Sequence, residues 1–239
     1  MNNRLMLRRI SQAVSNPYSL VAYWSYDNDF TDQINGNNGI PDPTANRSPN
    51  GIVNDCYENS SGNGGLRVID NPVFQFGDGV NDRPFSLSTW INLDNLSTQF
   101  LIAKRRTVTV GEYQLVYSAG SNGIAWFQYS QDNSGNQLAT RSNVSINAGS
   151  WYHIAVTYNG NGSQPKLFVN NVENTFTDNS GTYIAMSAGG NDLYLSKYES
   201  NSFPLLGRQD ETVFADVEWT SQQISEIYNY GLNGQSIPF

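Results

Sequence analysis

The sequence predicts an all-β protein, a two-sheet antiparallel sandwich of jelly-roll type, and three features carry that expectation. Short segments alternate apolar and polar residues with period two, as a strand does when one of its faces enters a core. These segments recur at short intervals between turns rich in Gly, Asn and Ser, rather than alternating with helices. Aromatic residues make up 13% of the 239 positions against 14% charged, a composition that suits a packed β core and argues against a disordered chain.

The chain opens on its one stretch outside that pattern. Met6, Ile10 and Val14 recur at four-residue spacing with Arg4, Arg8 and Arg9 elsewhere on the segment, so a short helix is expected over 3–14. It should stop at Asn16-Pro17, because the residue before a proline is pushed out of helical geometry. Residues 1–18 therefore read as an arm whose docking side chains are Arg4, Met6, Arg8, Arg9 and Ile10, and residues 19–239 as the sandwich. A frayed terminus with no role is the alternative.

From Ser19 onward the elements follow in order. LVAYWSYD puts Leu20, Ala22, Trp24 and Tyr26 on one side of a strand, and an Asn/Gly-rich turn follows at 35–39. Prolines between 41 and 50 mark a loop. Strands are expected at 51–58 and 65–69, and another pair flanks a turn at 78–84. FSLSTWINL, 85–93, alternates, but apolar residues stand on both sides and its facing is ambiguous. Strands at 99–104, 113–118 and 124–129 continue the series.

The clearest unit is Trp151 to Asn171. Tyr152, Ile154, Val156 and Tyr158 alternate with His153, Ala155 and Thr157, Asn159-Gly160-Asn161-Gly162 supplies residues that accept positive φ, and Lys166 to Val169 resumes the alternation. This is a β-hairpin. Further strands are expected at 182–186 and 192–196. Near the end, Thr220-Ser221-Gln222-Gln223 fits a capping box opening a helix in which Ile224, Ile227 and Tyr228 share a face, with Gly231 to close it.

Composition and single residues narrow the function. A net charge of −8 opposes a phosphate backbone, so nucleic acid is not an expected partner. Cys56 is the single cysteine, which excludes an intrachain disulfide and a cysteine-rich metal site. No stretch is long and apolar enough to span a bilayer, and Arg8 and Arg9 interrupt the apolar residues near the start, so no signal peptide is read. His153 is the only histidine, no Gly-x-Ser-x-Gly elbow accompanies it, and packing is its expected role.

Two function classes remain, a binding module and a polysaccharide-cutting enzyme. A retaining glycosidase needs two carboxylates about 5–5.5 Å apart. Asp216-Val217-Glu218 is the nearest approach to such a pair, so no catalytic residue is assigned and the chain is expected not to be an enzyme. The Asp78 to Asp82 segment lacks the remaining ligands of a cation loop and reads as a turn. Among the tryptophans, Trp126 with Tyr129 is the pair expected to stack on a sugar ring.

Four segments, Leu20 to Asp27, Pro84 to Asn92, Trp151 to Asn171 and Gly207 to Gly231, resemble the laminin-G-like branch of the concanavalin A-like lectin/glucanase superfamily, in that family's order. The resemblance implies two curved sheets in a jelly roll, roles in carbohydrate or protein binding, and one structural Ca²⁺ held by Asp210 of the closing strand with Asp27 and the 35–39 turn. The other reading of Asp210 is a hydrogen bond to the turn. The glucanase branch's Glu-x-Asp-x-Glu run is absent from the sequence.

The stretch 73–92 is also similar to versions found in bacteriophage virion proteins. That likeness implies a virion surface component, of capsid or tail, made in the host cytoplasm. It would dock on other virion proteins through the arm and meet host surface carbohydrate; a homo-oligomer is compatible with it. The alternatives are a secreted, extracellular glycan-active hydrolase and a purely architectural decoration protein.

Overall fold

The computed structural model describes residues 16–107, 110–130, 135–160, 162–199 and 202–239. In chain order the strands are β1 (Leu20–Trp24), β2 (Ile40–Pro41), β3 (Asn46–Ser48), β4 (Cys56–Asn59), β5 (Leu66–Val68), β6 (Phe85–Leu93), β7 (Gln99–Thr107), β8 (Val110–Ser118), β9 (Gly123–Tyr129), β10 (Gln137–Arg141), β11 (Trp151–Tyr158), β12 (Lys166–Val169), β13 (Val172–Glu173), β14 (Phe176–Thr177), β15 (Leu193–Leu195) and β16 (Gly207–Ala215). Helix α1 (Ser221–Leu232) follows them.

Two antiparallel sheets result. The first runs β13-β12-β11-β6-β16-β4-β3, with β1 also paired to β16. The second runs β14-β10-β9-β8-β7-β15-β5-β2. Phe85, Leu87, Ile91, Ile154, Val156 and Phe214 of the first meet Leu66, Leu115, Trp126 and Leu193 of the second in one core. Burying such side chains removes apolar surface from water, at roughly 25 cal/mol per Å².

The first sheet is buried a second time on its other face. Tyr23, Ala155, Phe168, Val213 and Ala215 lie beneath Ile224 and Ile227 of α1 and beneath Trp219 and Ile237. This explains the ambiguous FSLSTWINL: all nine residues of β6 are buried, Phe85, Leu87, Ile91 and Leu93 in the core and Trp90 against the helix side. The second sheet has no such cover among the described residues. Its outer face is the open face of the molecule.

Most expected elements are present, and the differences have physical causes. The β11–β12 hairpin pairs Ile154 with Val169 and Val156 with Leu167. The capping box of Thr220 and Gln223 forms, an arrangement worth about 1 kcal/mol. Gly231 does not end α1, which runs on to Leu232; a side chain there would collide with the Trp90 indole, and Gly234 takes the positive φ instead.

Residues 182–186 are not a strand. Tyr183 Oη donates to Asp82 Oδ2 at 2.5 Å and the Met186 amide to Asp82 Oδ1 at 2.8 Å, so this segment is held by a carboxylate rather than by a ladder. The 78–82 segment is the turn expected, its amides at Val80 and Asn81 donating to Asp78 Oδ1. Residues 51–55 likewise bend before β4. Strand β10, which the sequence reading passed over, completes the second sheet.

The expected arm, with Arg4, Met6, Arg8, Arg9 and Ile10, lies outside the described residues up to position 15. Its boundary shifts. Asn16 brackets Leu20 with two hydrogen bonds of 2.8 and 3.0 Å, Tyr18 is buried, and Trp219 Nε1 donates to the Tyr18 carbonyl at 2.8 Å. Asn16 to Tyr18 therefore pack with the sandwich.

Trp126 stacks on Tyr113, with ring centroids 5.3 Å apart, and is fully buried. Trp126→Ala should lower the unfolding free energy by about 3–5 kcal/mol. Denaturant titration checks this, and a loss below ~1 kcal/mol would contradict its place in the core.

Candidate functional site

The pairing register places the side chains of the open face in rows, because residues directly opposite in an antiparallel pair project to the same side. One row is Phe100–Val116–Ala125–Arg141–Phe176 across β7, β8, β9, β10 and β14. The next is Arg67–Tyr194–Ala103–Gln114–Phe127–Ala139 across β5, β15, β7, β8, β9 and β10. Val116 and Ala125 occupy the middle of the first row, and Ala103 and Ala139 flank the Gln114–Phe127 pair in the second. Their small side chains leave room for long neighbours to lie flat.

Four side chains do so in sequence. Arg141 lies over Phe127 at 5.1 Å, Phe127 stacks with Tyr129 at 6.3 Å and an interplanar angle of 12°, and Arg105 lies over Tyr129 at 3.9 Å. Arg105 Nη1 also donates to Tyr129 Oη at 2.7 Å and Gln114 Oε1 at 3.3 Å, while Arg141 pairs with Asp178. Each guanidinium carbon thus lies over a ring, a position favourable through the ring quadrupole. Burial pushes the Tyr129 hydroxyl up to about 12. Beside this stack, Phe100 packs on Tyr198 at 5.0 Å and Phe203 at 6.2 Å, and Phe203 is 59% exposed.

Of the pair expected to bind sugar, only Tyr129 is on this face. Trp126 points into the core, because a separation of three residues along a strand puts two side chains on opposite faces. Tyr129 itself is 6% exposed under Arg105. Phe127, Arg105 and Arg141 were missed by the sequence reading. The signal was present in the phase of β9, where Ala125, Phe127 and Tyr129 alternate against Ile124, Trp126 and Gln128.

The expected calcium site is built differently. Asp210 is buried at a bulge of β16; its Oδ2 accepts from the Ile52 and Val53 amides at 2.9 and 3.0 Å, and its Oδ1 from the Glu211 amide at 2.9 Å. In the 35–39 turn the amides of Asn35 and Asn37 donate to Asp32 Oδ2, and the Asn37 carbonyl, Asn37 Oδ1 and Asn38 Oδ1 accept from Trp24, Asn71 and the Asp32 amide, so these oxygens are taken by protein donors. Asp27 keeps a buried Oδ1 without a hydrogen-bond partner, one oxygen where Ca²⁺ takes about six to eight. These residues do not fit a calcium shell, and among the described residues no group of three or more His, Cys, Asp and Glu could hold a metal. Asp210 instead hydrogen-bonds the bend at 51–55 and its own strand, not the 35–39 turn of either reading.

Asp216 is exposed beyond the end of β16, and Glu218 pairs with Lys166 at 3.2 Å. Neither lies on the open face. His153 is buried between Trp90 and Tyr228, at 5.2 and 5.7 Å, the packing role expected of it.

With the geometry established, comparison decides the family. A laminin G model, described as the Concanavalin A-like lectin/glucanases superfamily, matches residues 62–225. The chain belongs to this superfamily. Solved structures similar to this concanavalin A-like chain include domain 4 of AbnA, a GH43 extracellular arabinanase from Geobacillus stearothermophilus, in complex with arabinotriose. The TM-score is 0.65 at 19% identity, over 88% of this chain and 98% of that one.

The botulinum neurotoxin serotype D binding domain matches at TM-score 0.63 and 14% identity over 88% of this chain. A structure reported with the dependence of botulinum neurotoxin type C cell entry on two ganglioside molecules matches at 0.63 and 13% over 89%. The chain spans about half the length of these two, 51% in each. At such identities the likeness establishes the fold. Comparison with curated protein sequences finds no match.

Three buried ionisable groups of the concanavalin A-like sandwich give it a pH dependence. Desolvation pushes His153 down from 6.5 to about 3, Glu112 up from 4.5 to about 7 despite Lys104 at 3.1 Å, and Glu211 up from 4.5 to about 8 despite a 2.7 Å hydrogen bond from Tyr23. Between pH 6.5 and 3 the unfolded chain binds the His153 proton and the folded one does not, so stability falls as pH is lowered. Between pH 4.5 and 7 or 8 the folded chain holds the glutamate protons and the unfolded one releases them, so stability falls as pH rises.

Urea unfolding across pH 3 to 9 should therefore show greatest stability at about pH 4.5, where the one histidine slope and the two glutamate slopes cancel, and a fall toward pH 8, with Glu211→Gln flattening the alkaline limb and His153→Phe the acid limb. An alkaline limb unchanged in Glu211→Gln would refute the assignment.

Proposed function

We propose that this protein is a non-catalytic carbohydrate-binding module whose binding surface is the open face of the second sheet. The observation that carries the reading is the stack Arg141–Phe127–Tyr129–Arg105, held over a floor of alanines. Phe127, half-buried, is the ring of the stack with apolar surface left for the C–H side of a sugar, Tyr129 being covered by Arg105, while the guanidinium groups offer donors to its hydroxyls. AbnA domain 4, solved in complex with arabinotriose, and the neurotoxin whose cell entry depends on two ganglioside molecules support this choice of ligand.

Absence of catalysis is part of the proposal. Its support is the placement of Asp216 and Glu218 away from the open face and the engagement of Asp192, beside that face, by Arg67 and the Asp70 amide, since hydrolysis needs a pair of carboxylates free to act. The virion setting is the finer part, supported by the resemblance of 73–92 to phage structural proteins: a capsid or tail surface component docked through its N-terminal arm and presenting the open face to host glycan.

Binding to a panel of soluble polysaccharides, followed by calorimetry and a reducing-sugar assay, tests the first part. Phe127→Ala should weaken binding about tenfold, or ~1.4 kcal/mol, with folding intact and no hydrolysis by the wild type. Wild-type hydrolysis, or undiminished affinity in Phe127→Ala, would refute it. For the second part, removing residues 1–15 should leave the sandwich folded and abolish incorporation into particles; normal incorporation would eliminate the docking role.

A further inference from the structure

Lys104 of β7 is fully buried, and its Nζ faces more than one partner. Asp70, just beyond β5, places Oδ1 at 2.6 Å, Glu112 of β8 places Oε1 at 3.1 Å, and the Asn191 carbonyl accepts from Nζ at 2.5 Å. One ammonium balances one carboxylate. Glu112 is a second acid, itself fully buried, and apart from this ion pair and the nearby Gly189 amide neither of its oxygens has a well-formed hydrogen bond. Desolvating an acid beyond what the lysine can balance opposes folding, so the ion pair by itself gives Glu112 no structural purpose.

The same arrangement has the parts of a condensation centre. The Asp70 carboxyl carbon is one bond of about 1.2 Å beyond Oδ1, so it lies within roughly 3.9 Å of Nζ, close to the separation of about 3–3.5 Å in a near-attack pair. Gln75 Nε2 donates to Asp70 Oδ2 at 2.9 Å, a donor placed where charge develops if Nζ adds to that carbon. Glu112 touches the nucleophile directly, and burial pushes it up from 4.5 to about 7, so it can both give and take a proton near neutrality. The Asp70 side chain is 22% exposed, which leaves a path to solvent for a small product.

We propose that Lys104 and Asp70 close an intramolecular isopeptide bond, with Glu112 as the catalytic residue that moves the protons. Nζ, an ammonium in the ion pair, passes one proton to Asp70 Oδ1 across their contact, which leaves an amine beside a carboxylic acid. The amine forms the Nζ–Cγ bond, and the charge that develops on Oδ2 is held by Gln75. Protonated Glu112 takes a second proton from Nζ with one oxygen and delivers its own to Oδ1 with the other. The Cγ–Oδ1 bond then breaks, one water departs, and a secondary amide remains with Glu112 unchanged.

The bond joins β7 to the exit of β5 across β15, which lies between them in the second sheet. Backbone pairing holds that margin thinly, since β15 is three residues long and pairs with β7 at Tyr194–Ala103 and Leu195–Ile102. A covalent link there closes a loop that unfolding cannot open, as a disulfide would, and it needs neither a second cysteine nor an oxidant. The inference requires no ligand and stands apart from the carbohydrate reading.

The test is the mass of the denatured full chain, followed by tryptic mapping. The wild type should be lighter than its sequence by one water, the loss falling on a branched peptide that carries both Asp70 and Lys104, with cleavage after Lys104 blocked. Asp70→Ala and Lys104→Met should each give the two peptides separately. Glu112→Gln, checked for folding by circular dichroism, should lower the linked fraction at harvest about tenfold or more. Glu112→Asp, which keeps the acid but withdraws it by one methylene, should lower it too and covers the case in which glutamine prevents folding.

Wild-type peptides recovered unlinked would overturn the proposal, as would a water lost elsewhere, such as an imide at Asp78-Gly79. Folded Glu112 variants linked as fully as the wild type would overturn the catalytic role given to Glu112.

Discussion

One constraint organises this molecule: the first sheet is covered on both faces. The core of Phe85, Leu87, Ile154 and Phe214 lies on one side, and α1 with Trp219 and Ile237 on the other. That double burial demands close packing on each side. It puts Trp90, His153 and Tyr228 in mutual contact and leaves no room for a Cβ at position 231. It also decides where a ligand can go, since the remaining broad β surface is the outer face of the second sheet.

Acidic residues hold the loops around that framework. Asp32 takes amides from Tyr23, Ile34, Asn35 and Asn37, Asp82 takes two tyrosine hydroxyls and the Met186 amide, and Asp210 takes the amides of 51–55's turn and of its own strand. A carboxylate accepting several N–H or O–H groups can pin irregular backbone that no ladder reaches. In a chain of net charge −8, much of the buried acid is therefore structural, and an Asp in a Gly/Asn-rich turn is poor grounds for a metal.

The four segments that resemble the superfamily form β1, β6, β11–β12 and β16 with α1, which is to say the doubly buried sheet and its cover. Side chains constrained from both faces leave a strong pattern. The open face comes from β7 to β10, whose outward residues answer to water and to any ligand, so their pattern is weaker. This is why the sandwich, the β11–β12 hairpin and the capping box were legible, while Arg105, Phe127 and Arg141 were not. Trp126 shows the same limit from the other direction: a tryptophan in a strand announces burial or stacking alike, and only the phase of the neighbouring strands separates them.

By itself, then, the sequence determined the class of fold, the order of its strongest strands, the C-terminal helix and the lack of a histidine cluster or cysteine framework, because these follow from local periodicity and residue type. Which face of each strand met the helix, which met the other sheet and which stayed open depended on pairing register between segments distant in the chain. Only the tertiary structure could decide that, since a side chain's surroundings in a sheet are set by its cross-strand partners.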